Sequence, residues 1–152
     1  MLEGGRTVIG LLHPLDLVRR RMAKGLQVEA GQQAVQRGGE VEALVTISSS
    51  RRLGSLEVGL VCTEFYDEMV STSTGNDGTS TTKRETSEAI AHEDWQPVES
   101  ATGAQISRMR IPPEAPFSYS GSCLSFKWEL VARARRSRRL DAQVKREISV
   151  LP

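Results

Sequence analysis

The residues best suited to chemistry are five arginines that fall within seven positions near the C-terminal end: Arg133, Arg135, Arg136, Arg138 and Arg139. Each guanidinium presents planar N–H donors that match phosphate or carboxylate oxygens, so the cluster predicts an anion-binding site for nucleic acid, lipid or a phosphorylated partner. The alternative is that these arginines have acidic partners within the chain, because residues 26–100 carry thirteen acidic and only five basic residues. No aromatic residue lies among the arginines, which argues against stacking on single-stranded bases.

The other polar clusters do not indicate catalysis. His92, Glu93 and Asp94 are adjacent, and adjacent residues of a strand point to opposite faces, so we interpret them as a solvated charged edge and expect no metal site. The sequence contains no glycine-rich phosphate loop, nucleophile elbow or paired Cys-x-x-Cys motif. We therefore expect no enzyme and no cofactor.

Three further residues have candidate roles. Two cysteines, Cys62 and Cys123, are typical of the reduced thiols of a cytoplasmic protein, with one disulfide between them as the alternative. Cys62 shares a predicted strand face with apolar residues, so we expect its side chain to be buried. Trp95 lies in a polar segment, and we predict that it contacts a partner.

The chain is expected to consist of an N-terminal arm and one domain. Residues 1–25 contain three consecutive arginines and an apolar pattern of helical spacing, which predicts either a short basic helix or a disordered arm. Residues 26–152 then form a single domain, long enough to bury a core without disulfides or metals. No run of about 18 apolar residues occurs, so we expect a soluble, cytoplasmic protein without a transmembrane segment.

Alternation of apolar and polar residues predicts β-strands through most of the domain. Both faces of residues 41–47 and 56–63 are partly apolar, which favours central positions in a sheet. A Ser- and Thr-rich segment, residues 71–87, predicts either a long hairpin or a disordered loop, and residues 88–98 predict one short strand. The domain has no convincing internal helix, so the predicted fold class is all-β: an antiparallel, immunoglobulin-like β-sandwich of about eight strands.

Side-chain charge predicts the register of a C-terminal hairpin. With the loop at residues 135–139, three outward pairs have opposite charges: Lys127 with Glu147, Glu129 with Lys145, and Arg133 with Asp141. A shift of two residues would place Glu129 opposite Glu147, which is unfavourable by up to about 1 kcal/mol. The predicted register also places Trp128 opposite Arg146 on the inner face, where a cation–π contact would stabilise the core.

Two sequence blocks, in this order, resemble the arrestin-like domain family. The first is a glycine–acid turn that enters a strand, RGGEVEA at residues 37–43. The second is IPPEAPFSYSG at residues 111–121, followed by the strand FKWEL. In the second block we expect the prolines to stiffen an extended crossover, Ser118 to bond nearby backbone groups, and Gly121 to adopt a positive φ.

The resemblance covers residues 26–151 and implies an arrestin-like β-sandwich. It further implies a non-catalytic adaptor or scaffold that binds another protein, by pairing a strand with an exposed sheet edge or by self-association. The better-known members have two such domains in tandem, and this chain has room for one, so no active site or phosphate sensor is carried over. Anion or nucleic-acid binding through the arginines is the alternative function.

Overall fold

The computed structural model describes residues 25–48, 54–73, 78, 80–99, 101–135 and 142–152. These residues form nine strands: β1 (Leu26–Ala30), β2 (Ala34–Gln36), β3 (Glu40–Ile47), β4 (Ser55–Ser73), β5 (Ser80–Val98), β6 (Gly103–Arg110), β7 (Tyr119–Ser120), β8 (Leu124–Arg135) and β9 (Ala142–Leu151). In this part of the chain, no helix is long and apolar enough to span a membrane. The predicted N-terminal arm lies outside the described residues except for Gly25.

The strands form two sheets around one apolar core. The smaller sheet has the order β1-β3-β6, and the larger has the order β2-β9-β8-β4-β5, with β7 also paired to β8. Every ladder is antiparallel except the short parallel pairing of β2 with β9. The predicted all-β sandwich is therefore confirmed, with nine described strands and one parallel pair in an otherwise antiparallel fold.

The inward faces of both sheets supply the core, which accounts for the period-two pattern of the sequence. The two central strands each contribute four residues to the core cluster: Val41, Ala43, Val45 and Ile47 from β3, and Leu56, Val58, Leu60 and Cys62 from β4. As predicted, β3 lies between β1 and β6, and β4 lies between β5 and β8. Both cysteines are free thiols, and Cys123 is exposed. Burial, reinforced by the charge of Glu64, raises the pKa of the Cys62 thiol to about 11.

The proline-rich crossover between β6 and β7 is anchored by hydrogen bonds to β8 and β9. The indole N–H of Trp128 donates to the Pro116 carbonyl at 2.9 Å, and the Val150 N–H donates to the Ser118 hydroxyl at 2.8 Å, as predicted for that serine. Gly121 is not among the described glycines with positive φ, so that prediction was wrong. Glycine is required there because a Cβ atom would lie 2.7 Å from the Tyr119 ring.

The register of the β8–β9 hairpin differs by two residues from the predicted one. Glu129 lies opposite Glu147, the arrangement judged unfavourable, and Arg133 lies opposite Gln143. The predicted pairs Lys127 with Glu147, Glu129 with Lys145, and Arg133 with Asp141 are therefore wrong as cross-strand partners. Lys127 offsets the like charges, since its Nζ lies 3.7 Å from the Glu129 carboxylate and 4.0 Å from that of Glu147.

The inner face gives the physical reason for this register. Ile148, which is 3% exposed, occupies the position opposite Trp128 that the prediction assigned to Arg146. Arg146 instead lies opposite Leu130 and is exposed, so the predicted cation–π contact with Trp128 is also wrong. A shift of two residues keeps Ile148 on the inner face, where the predicted register would place it opposite Phe126, which is only partly buried. The observed register instead packs Ile148 against Trp128, which is fully buried, and an exposed pair of opposite charges contributes only about 0–1 kcal/mol against this packing.

A long hairpin, β4–β5, extends beyond the rest of the larger sheet. Each of its strands has 19 residues, which confirms the predicted hairpin; the tip at residues 74–77 and 79 lies outside the described residues. The short strand predicted at residues 88–98 is the C-terminal part of β5. Because the ladder between β8 and β4 ends at Tyr66, residues 67–73 and 80–86 have only each other as strand partners within the described ranges, and we call them the β-ribbon.

Candidate functional site

Three of the residues predicted to bind an anion or a partner meet on the outer face of the larger sheet. Oε1 of Glu57 on β4 accepts hydrogen bonds from Arg133 Nε at 3.2 Å and Arg133 Nη2 at 2.9 Å. The same oxygen lies 2.6 Å from Arg135 Nε. The side chains of Arg133 and Glu57 are 17% and 20% exposed, whereas that of Arg135 is 62% exposed. One carboxylate thus engages both arginines.

Trp95 completes this group, because β5 places it opposite Gly59. The Arg133 guanidinium carbon lies 3.8 Å from the centre of the indole, and the indole N–H donates to Glu93 at 3.3 Å. The indole ring packs directly on Gly59, since a Cβ atom there would lie 2.5 Å from Trp95 Cε3. We call this group the outer-face cluster: Glu57, Gly59, Trp95, Arg133 and Arg135.

The outer-face cluster is stacked and ion-paired within the chain. Trp95 is half-buried under Arg133, and the acidic middle of the sequence supplies the partner of both arginines, as the internal-pairing alternative predicted. Arg136, Arg138 and Arg139 lie outside the described residues. No sequence pattern points to Glu57, and the only signal for Gly59 is a glycine in the middle of an apolar strand.

Residues 92–94 do not form a metal site with their neighbours. His92 faces the core, where its ring centroid lies 5.6 Å from that of Trp128, and its Nε2 is buried with no hydrogen-bond partner among the described residues. Glu93 lies on the opposite face of β5, beside Trp95. No group of three or more His, Cys, Asp or Glu residues in the described ranges could hold a metal ion.

The outer edge of β5 is the second feature that can recognise a ligand. Among the described residues, β5 forms a ladder with β4 only. Near its C-terminal end the edge is closed by side chains: Gln96 Nε2 donates to the Arg108 carbonyl at 2.9 Å, and Pro97 has no N–H. In the described structure, neither a hydrogen bond nor a proline closes the outer backbone edge of residues 80–90. We call these residues the edge segment.

One hydrogen bond shows which backbone groups of the edge segment face outward. The N–H of Asp67 donates to the Cys123 carbonyl at 3.1 Å, on the side of β4 away from β5. Thr86 lies opposite Asp67, so its own N–H and C=O must point away from β4. Backbone direction alternates along a strand, which gives Thr82, Arg84 and Glu88 the same outward orientation.

Side-chain contacts of Thr86 and Arg84 stabilise the β-ribbon. The Thr86 hydroxyl donates to Asp67 Oδ1 at 3.0 Å, and Arg84 Nη2 lies 2.6 Å from Asp67 Oδ2. The same guanidinium nitrogen donates to Cys123 Sγ at 2.9 Å. A two-stranded element alone is only marginally stable, and these contacts stabilise it in the strand conformation. The backbone groups along its outer edge therefore keep the regular spacing that pairing with another strand requires.

No protein-family model matches this chain, and no curated protein matches it. Among solved structures, the chain is similar to the crystal structure of Spo0M, a sporulation control protein from Bacillus subtilis, with 14% sequence identity and a TM-score of 0.44. The similar region covers 82% of this chain and 48% of that one, so the chain spans about half the length of Spo0M. The arrestin-like resemblance therefore rests on the two sequence blocks and on the sandwich itself.

Proposed function

We propose that this chain is a non-catalytic, arrestin-like adaptor or scaffold domain that binds another protein by adding a strand to the edge segment of β5. The observation that carries the proposal is the outward backbone edge of residues 80–90, which has no ladder partner in the described structure. Strand addition uses main-chain hydrogen bonds for affinity and alternate side chains for specificity.

The composition of the edge segment supports a selective partner. An open, apolar edge promotes aggregation, and charged side chains restrict which strands can pair with it. Lys83, Arg84, Glu85 and Glu88 supply charges of both signs over six residues. A partner strand must match this pattern, since like charges placed directly opposite are unfavourable.

The outer-face cluster favours this function over anion binding. An anion that approached Arg133 or Arg135 would compete with Glu57, which already bonds both guanidinium groups. Arg133 is further engaged by stacking on Trp95. The two described arginines are therefore partly neutralised before any ligand arrives.

Affinity capture from native lysate with the full chain tests the proposal. Thr86→Pro removes an outward N–H at an edge position where proline is tolerated, whereas Thr86→Val removes only the hydroxyl bond to Asp67. We expect a protein partner that survives nuclease treatment and is retained by Thr86→Val but lost with Thr86→Pro. Recovery that disappears with nuclease, or in a variant with Arg135, Arg136, Arg138 and Arg139 replaced by serine, would contradict it.

A further inference from the structure

We infer that one partner of the edge segment is a second copy of this chain, paired antiparallel about a two-fold axis at Thr86. The inference rests on the proposed function, since it uses the same backbone edge. It adds the identity of the partner and a single register.

Backbone geometry restricts how two copies can pair. Residues with outward N–H and C=O groups must lie opposite one another to exchange both hydrogen bonds. In the edge segment these are alternate residues, including Thr82, Arg84, Thr86 and Glu88. Two copies related by a two-fold axis perpendicular to the sheet satisfy this condition only when the axis passes through a residue position.

Side-chain charge selects among the axis positions. An axis at Arg84 would form two Lys83–Glu85 pairs, but it would also set the two Arg84 side chains directly opposite each other, which is unfavourable. An axis at Glu85 would oppose the two Glu85 carboxylates and form no opposite-charge pair. With the axis at Ser87, Arg84 lies opposite Ile90 and the two copies form no directly opposed charge pair. With the axis at Thr86, Arg84 of each copy lies opposite Glu88 of the other, so two opposite-charge pairs form on one face.

The remaining positions are compatible with the Thr86 register. Lys83 lies opposite Ala89, and Glu85 lies opposite Ser87, so no like charges face each other on the second face. The Arg84 side chain is 56% exposed, and its guanidinium contacts Asp67 and Cys123 on the side away from the free edge. Pairing with Glu88 of the second copy therefore requires this side chain to turn toward the edge, where Glu88 replaces Asp67 as its carboxylate partner. The paired β-ribbons would form a four-stranded sheet, which is more stable than an isolated two-stranded one.

Ile90 gives this arrangement an apolar contact as well. Ile90 is 56% exposed in the monomer. In the Thr86 register it lies opposite Thr82 of the second copy, and association would cover part of its surface. The edge segment thus offers backbone bonds, two charge pairs and two apolar contacts to a second copy.

Sedimentation velocity of the full chain over a wide concentration range tests the inference. We expect wild type to form a concentration-dependent dimer, and Arg84→Glu and Glu88→Arg each to weaken it roughly tenfold, since two like-charge contacts replace two opposite ones. An equimolar mixture of the two variants should regain wild-type association, because position 84 of one chain and position 88 of the other then carry opposite charges again. This recovery also shows that neither variant has merely failed to fold.

Two results would overturn the inference: a wild-type chain that is monomeric at every concentration, or a mixture that associates no better than its components. The proposed function is judged separately. If wild type is monomeric but Thr86→Pro still loses a captured protein partner, the self-pairing inference fails and strand addition stands. If wild type dimerises and Thr86→Pro neither loses its captured partner nor weakens the dimer, both fail.

Discussion

Gly59→Ala should destabilise the protein only while Trp95 is present. In most strands the exchange of glycine for alanine is favourable by about 0.5–1 kcal/mol, because glycine loses more conformational freedom on folding. Here the new Cβ would lie 2.5 Å from the Trp95 ring, about 1 Å closer than ordinary contact. The indole must move, and overpacking of this kind costs about 1–3 kcal/mol. The stacking of Arg133 on the ring contributes about 0.5–1 kcal/mol more, which would also be lost.

The expected net effect is a loss of about 1–2 kcal/mol in the free energy of unfolding. In a Trp95→Ala background the obstacle is absent, so Gly59→Ala should instead stabilise by about 0.5–1 kcal/mol. Urea unfolding followed by far-UV circular dichroism measures all four proteins of this double-mutant cycle. If Gly59→Ala stabilises both backgrounds equally, Trp95 does not lie on Gly59 and the geometry of the outer-face cluster is wrong.

Three other predictions concern stability. The stability advantage of wild type over Cys62→Ala should shrink by about 2 kcal/mol between pH 8 and pH 10.5. The reason is that the unfolded thiol loses its proton near pH 8.5–9, whereas burial raises the pKa of the folded thiol to about 11. Urea midpoints at each pH measure this difference, and a constant difference would contradict the prediction. Glu57→Gln should lower the free energy of unfolding by about 1–2 kcal/mol at low salt and by less in 1 M NaCl, because two guanidinium groups lose their carboxylate partner. Thermal unfolding measures the loss, and an equal loss at both salt concentrations would argue against ion pairing. Ser118→Ala should cost about 1–2 kcal/mol because the Val150 N–H loses its acceptor, whereas the control Ser120→Ala, at an exposed position, should change the urea midpoint little; equal effects would refute the anchoring role of Ser118.

The sequence predicted the features that depend on local pattern. Period-two alternation identified the buried faces of β3 and β4, and their two partly apolar faces indicated central positions, since a strand between two neighbours in a sandwich is largely covered. A backbone hydrogen bond of Ser118 was expected from its place after a proline-rich segment, but its partner on β9, 32 positions away, was not. The strand predictions succeed because alternation is set by neighbouring residues.

Features that depend on distant contacts could not be predicted in this way. Glu57 and Arg133 are 76 positions apart, and no short pattern relates them. The predicted register of β8 and β9 was wrong because exposed charge pairs contribute less than the packing of Ile148 against Trp128, and because Lys127 relieves the repulsion between Glu129 and Glu147. The length of β5 was missed because its Ser, Thr and charged residues are also typical of loops.

Amide hydrogen exchange along β5, followed by NMR, tests the central claim most directly. In a dilute, monomeric sample, the outward amides of Thr82, Arg84, Thr86 and Glu88 should exchange faster than those of Lys83, Glu85 and Ser87, which face β4. Addition of a saturating protein partner should slow the outward set. If the outward amides are already protected in the monomer, or exchange at the same rate with and without the partner, β5 is not the edge through which this domain binds.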